Sequence, residues 1–252
     1  MDIIKYEKLT LEITSDKLGY VITECEKDAI DVIIPKMVEG LPVVKIEDYA
    51  FSECKDLISV KFPEYDMNDY INDNLLREIG EYAFSHCYSL EEIEIPEYVY
   101  TIKWGTFYNC KSLKKASYST NTYVGSYAFY NCKNLVEVSS TNEIGEGAFS
   151  HCESLNYFPL INGTTSIEED SFEHCDSLTE ITIPATVNSI GKLAFRGCAN
   201  LKSVHFENTS NWYWQNRYTG EDVEIDVSNP EKMAKWLSGM DFDDGVGTLF
   251  KK

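Results

Sequence analysis

The sequence is poor in positive charge. Its 252 residues include 22 Lys and Arg against 42 Asp and Glu, which gives a formal net charge of −20 at pH 7. Binding to phosphate backbones and to anionic lipid surfaces depends on Lys and Arg. The composition therefore argues against a nucleic-acid partner. With 43% hydrophobic residues the chain can still form a folded core.

Long apolar runs are also missing. No stretch approaches the roughly 18 to 20 uninterrupted apolar residues that a membrane span needs, so we expect no membrane insertion. The segment Met1 to Ser15 is too charged for the apolar part of a secretory signal. This favours a soluble, cytoplasmic protein, unless a leader precedes this sequence.

The usual motifs of catalysis and metal binding are absent as well. The sequence contains no H-E-x-x-H, no P-loop, no Ser-His-Asp order, and no C-x-x-C or H-x-x-x-H spacing. We therefore predict a protein that is not an enzyme and that uses no cofactor and no metal.

A repeat organises most of the chain. The string F-x-x-C-x-x-L occurs seven times, and each copy is preceded five residues earlier by Ile or Val and directly by Ala, Ser or Thr. The cysteines of successive copies lie 20 to 23 residues apart, with one interval of 33. The phenylalanines of the seven copies are Phe51, Phe84, Phe107, Phe129, Phe149, Phe172 and Phe195.

Each part of the repeat predicts a local structure. The short alternating run after the Leu, such as Glu91 to Pro96, indicates a strand that ends at its proline. The segment around the Phe suits one or two helical turns. A unit of this length cannot bury enough apolar surface alone, so the units must stack. We predict an α/β repeat fold: a right-handed solenoid with a parallel sheet on its concave face and short helical turns on the other side.

The repeat resembles the BspA-like class of bacterial leucine-rich repeats. The pattern I-x-x-x-A-F-x-x-C-x-x-L-x-x-I-x-I-P carries the resemblance, which covers at least Asp31 to Glu207. The resemblance implies a bacterial protein at the cell surface or secreted, and an adhesive role toward host matrix proteins such as fibronectin and fibrinogen.

The ends of the repeat array predict caps, because an open strand edge promotes aggregation. Residues 1–30 are expected to form an N-terminal hairpin cap, residues 31–207 the repeats, and residues 208–252 a C-terminal cap. Asn229 and Pro230 are expected to start a short helix in that last segment. About ten residues are inserted within 64–78, where the sequence is rich in Asp and Asn. The insert lacks EF-hand spacing, so we predict an exposed loop that contacts a partner rather than a calcium site.

The cysteines and three histidines invite other hypotheses. Neighbouring strands lie at a distance that would permit disulfides, but equivalent side chains point the same way, which favours buried thiols. Cys25 lies outside the repeat pattern and is expected to be the most accessible. His86, His151 and His174 each precede a repeat Cys, and we predict backbone turns with positive φ there rather than zinc ligands.

Residues two and four places after each Leu are expected to point outward from the sheet. The predicted ligand-binding residues of this face are Lys61, Glu92, Glu94, Lys115, Glu137, Tyr157, Glu180 and His205. The predicted loop contacts are Asp66, Asp69, Tyr70 and Asp73. Glu92 and Glu94 form a carboxylate pair, but beside Lys61 and Lys115 they favour a solvated charge ladder over acid–base chemistry.

These features predict a monomeric, non-catalytic recognition or adhesion module that binds a protein or a glycan through its concave face and the inserted loop. The alternative hypothesis is an intracellular structural or assembly scaffold. A pull-down from host extract against one from the producing cell's cytosol would separate the two.

Overall fold

The computed structural model describes residues 3–64, 76–216, 220–239 and 247–252. The strands of the first part are β1 (Ile3–Tyr6), β2 (Leu9–Ile13), β3 (Tyr20–Cys25), β4 (Asp31–Ile33), β5 (Met37–Val38), β6 (Leu41–Ile46), β7 (Ser59–Lys61), β8 (Glu78–Ile79), β9 (Glu92–Glu94) and β10 (Thr101–Ile102). Those that follow are β11 (Lys115–Ser117), β12 (Tyr123–Val124), β13 (Glu137–Val138), β14 (Ser166–Ile167), β15 (Glu180–Ile183), β16 (Ser189–Ile190), β17 (Ser203–Phe206), β18 (Trp212–Asn216), β19 (Asp222–Glu224) and β20 (Gly247–Lys251), with helix α1 (Pro230–Leu237) between β19 and β20.

One column of parallel strands forms the face that we call the sheet face. It contains three separate ladders, β4–β7, β9–β11–β13 and β15–β17. The break between the second and third ladders falls at residues 156–161, where Phe158 points into the core and Pro159 has no N–H to donate.

A second column of short parallel strands runs behind the first. It pairs β6 with β8, β10 with β12, and β14 with β16, and a single bridge joins Val124 to Ile144. The branched aliphatic of each repeat lies in this column with its side chain buried. The two columns thus enclose the core between them, as a solenoid of stacked units requires. The handedness of the solenoid stays a prediction.

The repeat phenylalanines form the centre of that core. All seven side chains are completely buried, and consecutive rings stack with centroids 4.7–5.7 Å apart and planes within 25° of parallel. Stacking at this spacing is favourable beyond simple burial. The Phe column therefore sets the rise from one unit to the next.

The repeat cysteines have a specific role in the turns. From Cys87 onward, each thiol lies 3.1–3.3 Å from the carbonyl oxygen of the Phe one unit earlier and can donate to it. A thiol is small, apolar and a weak donor, so it suits a buried position facing a carbonyl. The repeat cysteines are buried as predicted, but Cys25 is buried too, so the prediction that it would be accessible is wrong.

The segments around each Phe are consecutive turns instead of the predicted helical turns. In the first repeat, successive bonds join Ala50 N to Glu47 O, Ser52 N to Tyr49 O, and Cys54 N to Phe51 O. Two residues per unit have positive φ, the second residue before the Phe and the second after it. These left-handed residues interrupt helical geometry. Among the described residues α1 is the only helix.

The positive-φ prediction is confirmed at the position before each Cys. His86, His151 and His174 have φ of 61°, 59° and 54°. The other residues at this position also have positive φ and are Glu53, Asn109, Asn131 and Gly197.

The predicted hairpin and helix are present at the two ends of the array. β2 pairs antiparallel with β3, which joins the second column by pairing with β6. At the other end β20 pairs antiparallel with β16, while α1 packs against β17. Asn229 accepts a bond from Lys232 N and Pro230 begins the helix. The boundaries of the three predicted segments stay predictions.

Candidate functional site

The sheet face places all eight predicted ligand-binding residues at the surface. Each of these side chains is exposed. Seven lie on strands β7, β9, β11, β13, β15 and β17, because alternate residues of a strand point to the same side. Tyr157 lies in the irregular segment 156–161 instead.

The middle of this face carries a row of opposite charges. The parallel register sets Lys115 between Glu92 and Glu137, and its Nζ lies 3.2 Å from Glu137 Oε2. Beside this row Lys114 pairs with Glu91 at 3.1 Å. These pairs are well exposed, so each contributes little to stability. Their charges therefore stay accessible to a partner.

Tyr157 is the largest exposed side chain of this face, with 60% of its surface accessible. Its backbone position follows from its neighbour Phe158, whose ring is buried. The Phe158 ring meets the Phe172 ring edge-on at 4.9 Å. It is tilted against the Phe149 ring at 5.0 Å. A planar ring at this point replaces the smaller Ile, Val or Ala of other units. No backbone N–H of the described residues 156–159 donates to a neighbouring unit. Tyr157 thus projects from a gap in the sheet.

The sequence analysis missed an apolar patch at the first units. Ile33 is 62% exposed and lies opposite Lys61 in the parallel pair β4–β7, and Ile30 and Ile58 are exposed beside it. The signal was available, because the alternation in Asp31–Ile33 already places Ile33 outward. It was not used because outward positions were counted only from the Leu of each complete repeat.

A second set of residues at the surface, exposed or half-buried, lies on the turns, away from the sheet face. We define the aromatic row as Tyr49, Tyr82, Trp104 and Tyr127, whose rings contact one another from unit to unit. The sequence signal was the repeated Tyr two residues before the Phe.

The predicted loop contacts Asp66, Asp69, Tyr70 and Asp73 lie outside the described residues. Their part in binding stays a prediction.

The described residues contain no cluster of three or more His, Cys, Asp or Glu side chains that could hold a metal ion. Burial raises the pKa of the Cys198 thiol to about 12 and that of Cys110 well above its ordinary value, so these thiols stay protonated. Burial and the neighbouring His174 lower the pKa of His151, whose ring stacks on His174 at 4.7 Å. These histidines pack along the turns.

Two strand columns, an unbroken Phe core and a thiol in every turn define a leucine-rich repeat solenoid. The model of the BspA-type leucine-rich repeat region matches residues 30–142 and 136–218, with six copies. The chain belongs to this family. Its members are generally non-catalytic interaction or surface modules. No curated protein matches the chain.

Among the residues described, no helix has the length and apolarity that crossing a bilayer requires.

Solved structures support the same architecture. A leucine-rich repeat protein of T. pallidum is 29% identical, with a TM-score of 0.66, over 79% of this chain and 91% of its own. A leucine-rich cell surface protein of Faecalibacterium prausnitzii is 25% identical, with a TM-score of 0.56, over 91% of this chain but only 62% of its own. A Bacteroides ovatus protein at 24% identity and a TM-score of 0.55 shares the fold, over 82% of this chain and 65% of its own.

Proposed function

We propose that this protein is a recognition module that binds a protein partner on its sheet face. The observation that carries the proposal is Tyr157, a large aromatic side chain that projects from a gap between two strand ladders. Exposed aromatic residues at the centre of a surface contribute most to binding, because they bury a large area at a small cost in conformational entropy. The charged row, next to Tyr157 on its N-terminal side, and the patch of Ile30, Ile33 and Ile58 beyond that row would then set orientation and specificity.

We further propose that the protein acts as a monomer at the cell surface, in adhesion. The description of the F. prausnitzii neighbour as a cell surface protein supports this location. A glycan ligand and an intracellular scaffold role are the competing outcomes of the experiment below.

The experiment uses a photo-crosslinking amino acid, p-benzoylphenylalanine, in place of Tyr157. The matched control carries it in place of Tyr100, which is equally exposed at 62% but lies beside β10 in the second strand column. Each protein is irradiated with purified fibronectin, with fibrinogen and with cytosol of the producing cell. We expect a fibronectin or fibrinogen adduct from position 157 and none from position 100.

Adducts of equal yield from both positions would contradict binding at the sheet face. An adduct at position 157 with a cytosolic protein alone would keep the sheet face as the binding surface but replace adhesion by the scaffold role. Loss of the adduct after enzymatic removal of glycans from the matrix protein would identify a glycan ligand.

A further inference from the structure

The aromatic row is a continuous set of contacting rings, of which Tyr49 and Trp104 are exposed and Tyr82 and Tyr127 half-buried. Tyr49 stacks on Tyr82 with centroids 5.1 Å apart, and Trp104 meets Tyr82 and Tyr127 edge-on at 4.6 and 5.5 Å. Tyr49 is 57% exposed and Trp104 39% exposed. Tyr108 and Tyr130 extend the network behind it, stacked at 4.7 Å. The proposed binding surface on the sheet does not include this row.

The tyrosines of the row occupy positions where the backbone favours glycine. Tyr49, Tyr82 and Tyr127 have φ of 63°, 53° and 54°, and the equivalent residues of the other four units, Gly105, Gly147, Asp170 and Leu193, also have positive φ. A bulky residue at positive φ is uncommon because its side chain crowds the backbone. Tyr is the most frequent residue at this position, in three of the seven units, and its rings take part in contacts from unit to unit.

The glycines also hold the rings in place. A Cβ at Gly105 would lie 2.6 Å from the Tyr82 ring, and one at Gly147 would overlap the Tyr127 ring. Each of these rings thus lies flat on the glycine of the following unit. Because Tyr82 is covered by Gly105 on one side and by Tyr49 on the other, it offers its edge and hydroxyl to solvent rather than a free face.

Carboxylates without a basic partner accompany the row. Asp48, Glu81 and Glu146 occupy the position just before the left-handed residue of their units, and all three are exposed. Within the described part of the chain no Lys or Arg lies within 4.0 Å of their carboxylates. Tyr127 donates its hydroxyl to Glu146 Oε1 at 2.5 Å, which links the two sets of groups.

The nearest lysines do not neutralise these charges. Lys45 pairs with Glu47 at 3.0 Å and with Glu78 at 3.5 Å, and Lys103 also pairs with Glu78. The surface around the row therefore keeps an excess of negative charge and of hydrogen-bond acceptors.

We propose that the aromatic row, together with Asp48, Glu81 and Glu146, binds an arginine-rich segment of a protein partner. A guanidinium group stacks on aromatic rings and donates in a planar fork to carboxylates, so it satisfies both features of this surface. A neutral glycan fits less well, since it carries no positive charge to pair with the exposed carboxylates of Asp48, Glu81 and Glu146.

The test measures binding of a fluorescein-labelled octa-arginine peptide by fluorescence anisotropy at two salt concentrations. The variants are Glu81→Gln with Glu146→Gln, and separately Tyr49→Ala, which removes the most exposed ring. The matched control is Glu24→Gln with Glu97→Gln, two exposed residues outside the sheet face and the aromatic row, which also removes two negative charges from the molecule. We expect the Glu81/Glu146 variant and the Tyr49 variant each to weaken binding about tenfold, and the control to change it less than twofold.

Octalysine should bind more weakly than octa-arginine, because an ammonium group cannot form the planar fork. An equal loss in the two double variants would overturn the proposal, since it would show a general attraction to the net charge of −20. Absence of octa-arginine binding, or Tyr49-dependent binding of a neutral glucan oligosaccharide in its place, would also overturn it. Thermal melting of each variant verifies that the fold is intact.

Discussion

At the scale of single residues, this repeat core tolerates a few polar groups that it does not satisfy. The Tyr118 side chain is buried, and among the described residues its hydroxyl has no hydrogen-bond partner. Burial accordingly raises the pKa of Tyr118. An unsatisfied buried hydroxyl costs on the order of 1 to 3 kcal/mol, so this position is a local weakness in the stack.

The substitution Tyr118→Phe tests that cost. We expect it to stabilise the protein by about 1 kcal/mol, because it removes the hydroxyl and keeps the ring. Urea denaturation measures the change. As a control, Thr106→Val should destabilise, since the Thr106 hydroxyl donates to Lys103 O at 2.9 Å. A loss of stability in Tyr118→Phe would mean that the hydroxyl is bonded, for instance to a buried water.

The carboxyl group of Asp170 makes the stability of the folded protein depend on pH. Burial, with the nearby Glu173 and Glu169, raises its pKa to about 6 from an ordinary value of 3.8. A carboxyl group whose pKa is higher in the folded state favours folding while protonated. Its favourable contribution is therefore complete below pH 3.8 and is lost as the pH rises through 6.

Asp170→Asn should remove this dependence. Asn tolerates the left-handed φ of 56° at this position. We expect the free energy of unfolding to rise by about 1 kcal/mol at pH 7 and not to change at pH 4. The value at pH 7 is reduced for solvent screening, because the carboxyl group is only partly buried. Urea titrations across this range measure it. The exposed Asp56→Asn serves as control, and an equal gain there would refute the assignment to Asp170.

At the scale of elements, the turns and not the strands carry the more demanding geometry. Each unit uses two left-handed residues, and ring-on-glycine contacts such as Tyr127 on Gly147 link one unit to the next. The strands are only two to six residues long. Precise stacking therefore depends on small residues at fixed points in the turns.

Gly147→Ala separates the two costs of losing such a glycine. Gly147 has a left-handed φ of 57°, and an added Cβ there would overlap the Tyr127 ring. Gly40 also has a left-handed φ, of 83°, but an added Cβ there would meet open space. We expect Gly40→Ala to cost about 1 kcal/mol for conformation alone. Gly147→Ala should cost at least about 1 kcal/mol more for the displaced ring. Chemical denaturation compares them, and equal losses would show that the ring moves freely.

At the scale of the whole molecule, stability depends on the stacking of neighbouring units. Each unit contacts the ones before and after it through the Phe column, the thiol–carbonyl contacts and the strand ladders. In such arrays the end units open more easily than the middle ones, because they have fewer neighbours.

The buried thiols report this opening. We expect a thiol-alkylating reagent in mild urea to label Cys198 and Cys25, near the ends of the array, before Cys110 and Cys132 in its middle. All eight cysteines are buried in the folded protein, so labelling requires opening. Mass spectrometry of peptides assigns the order. Simultaneous labelling of end and middle cysteines would indicate all-or-none unfolding instead.

The sequence by itself determined the repeat, its family, the buried Phe, Cys and Leu columns and the positive φ before each Cys. These features recur in every unit, so periodicity alone reveals them. Only the tertiary structure decided where the sheet breaks at Phe158, that Cys25 is buried beneath the first repeat, and that Tyr49, Tyr82, Trp104 and Tyr127 meet in one row. Those outcomes depend on contacts between different units, and a pattern within one unit does not contain them.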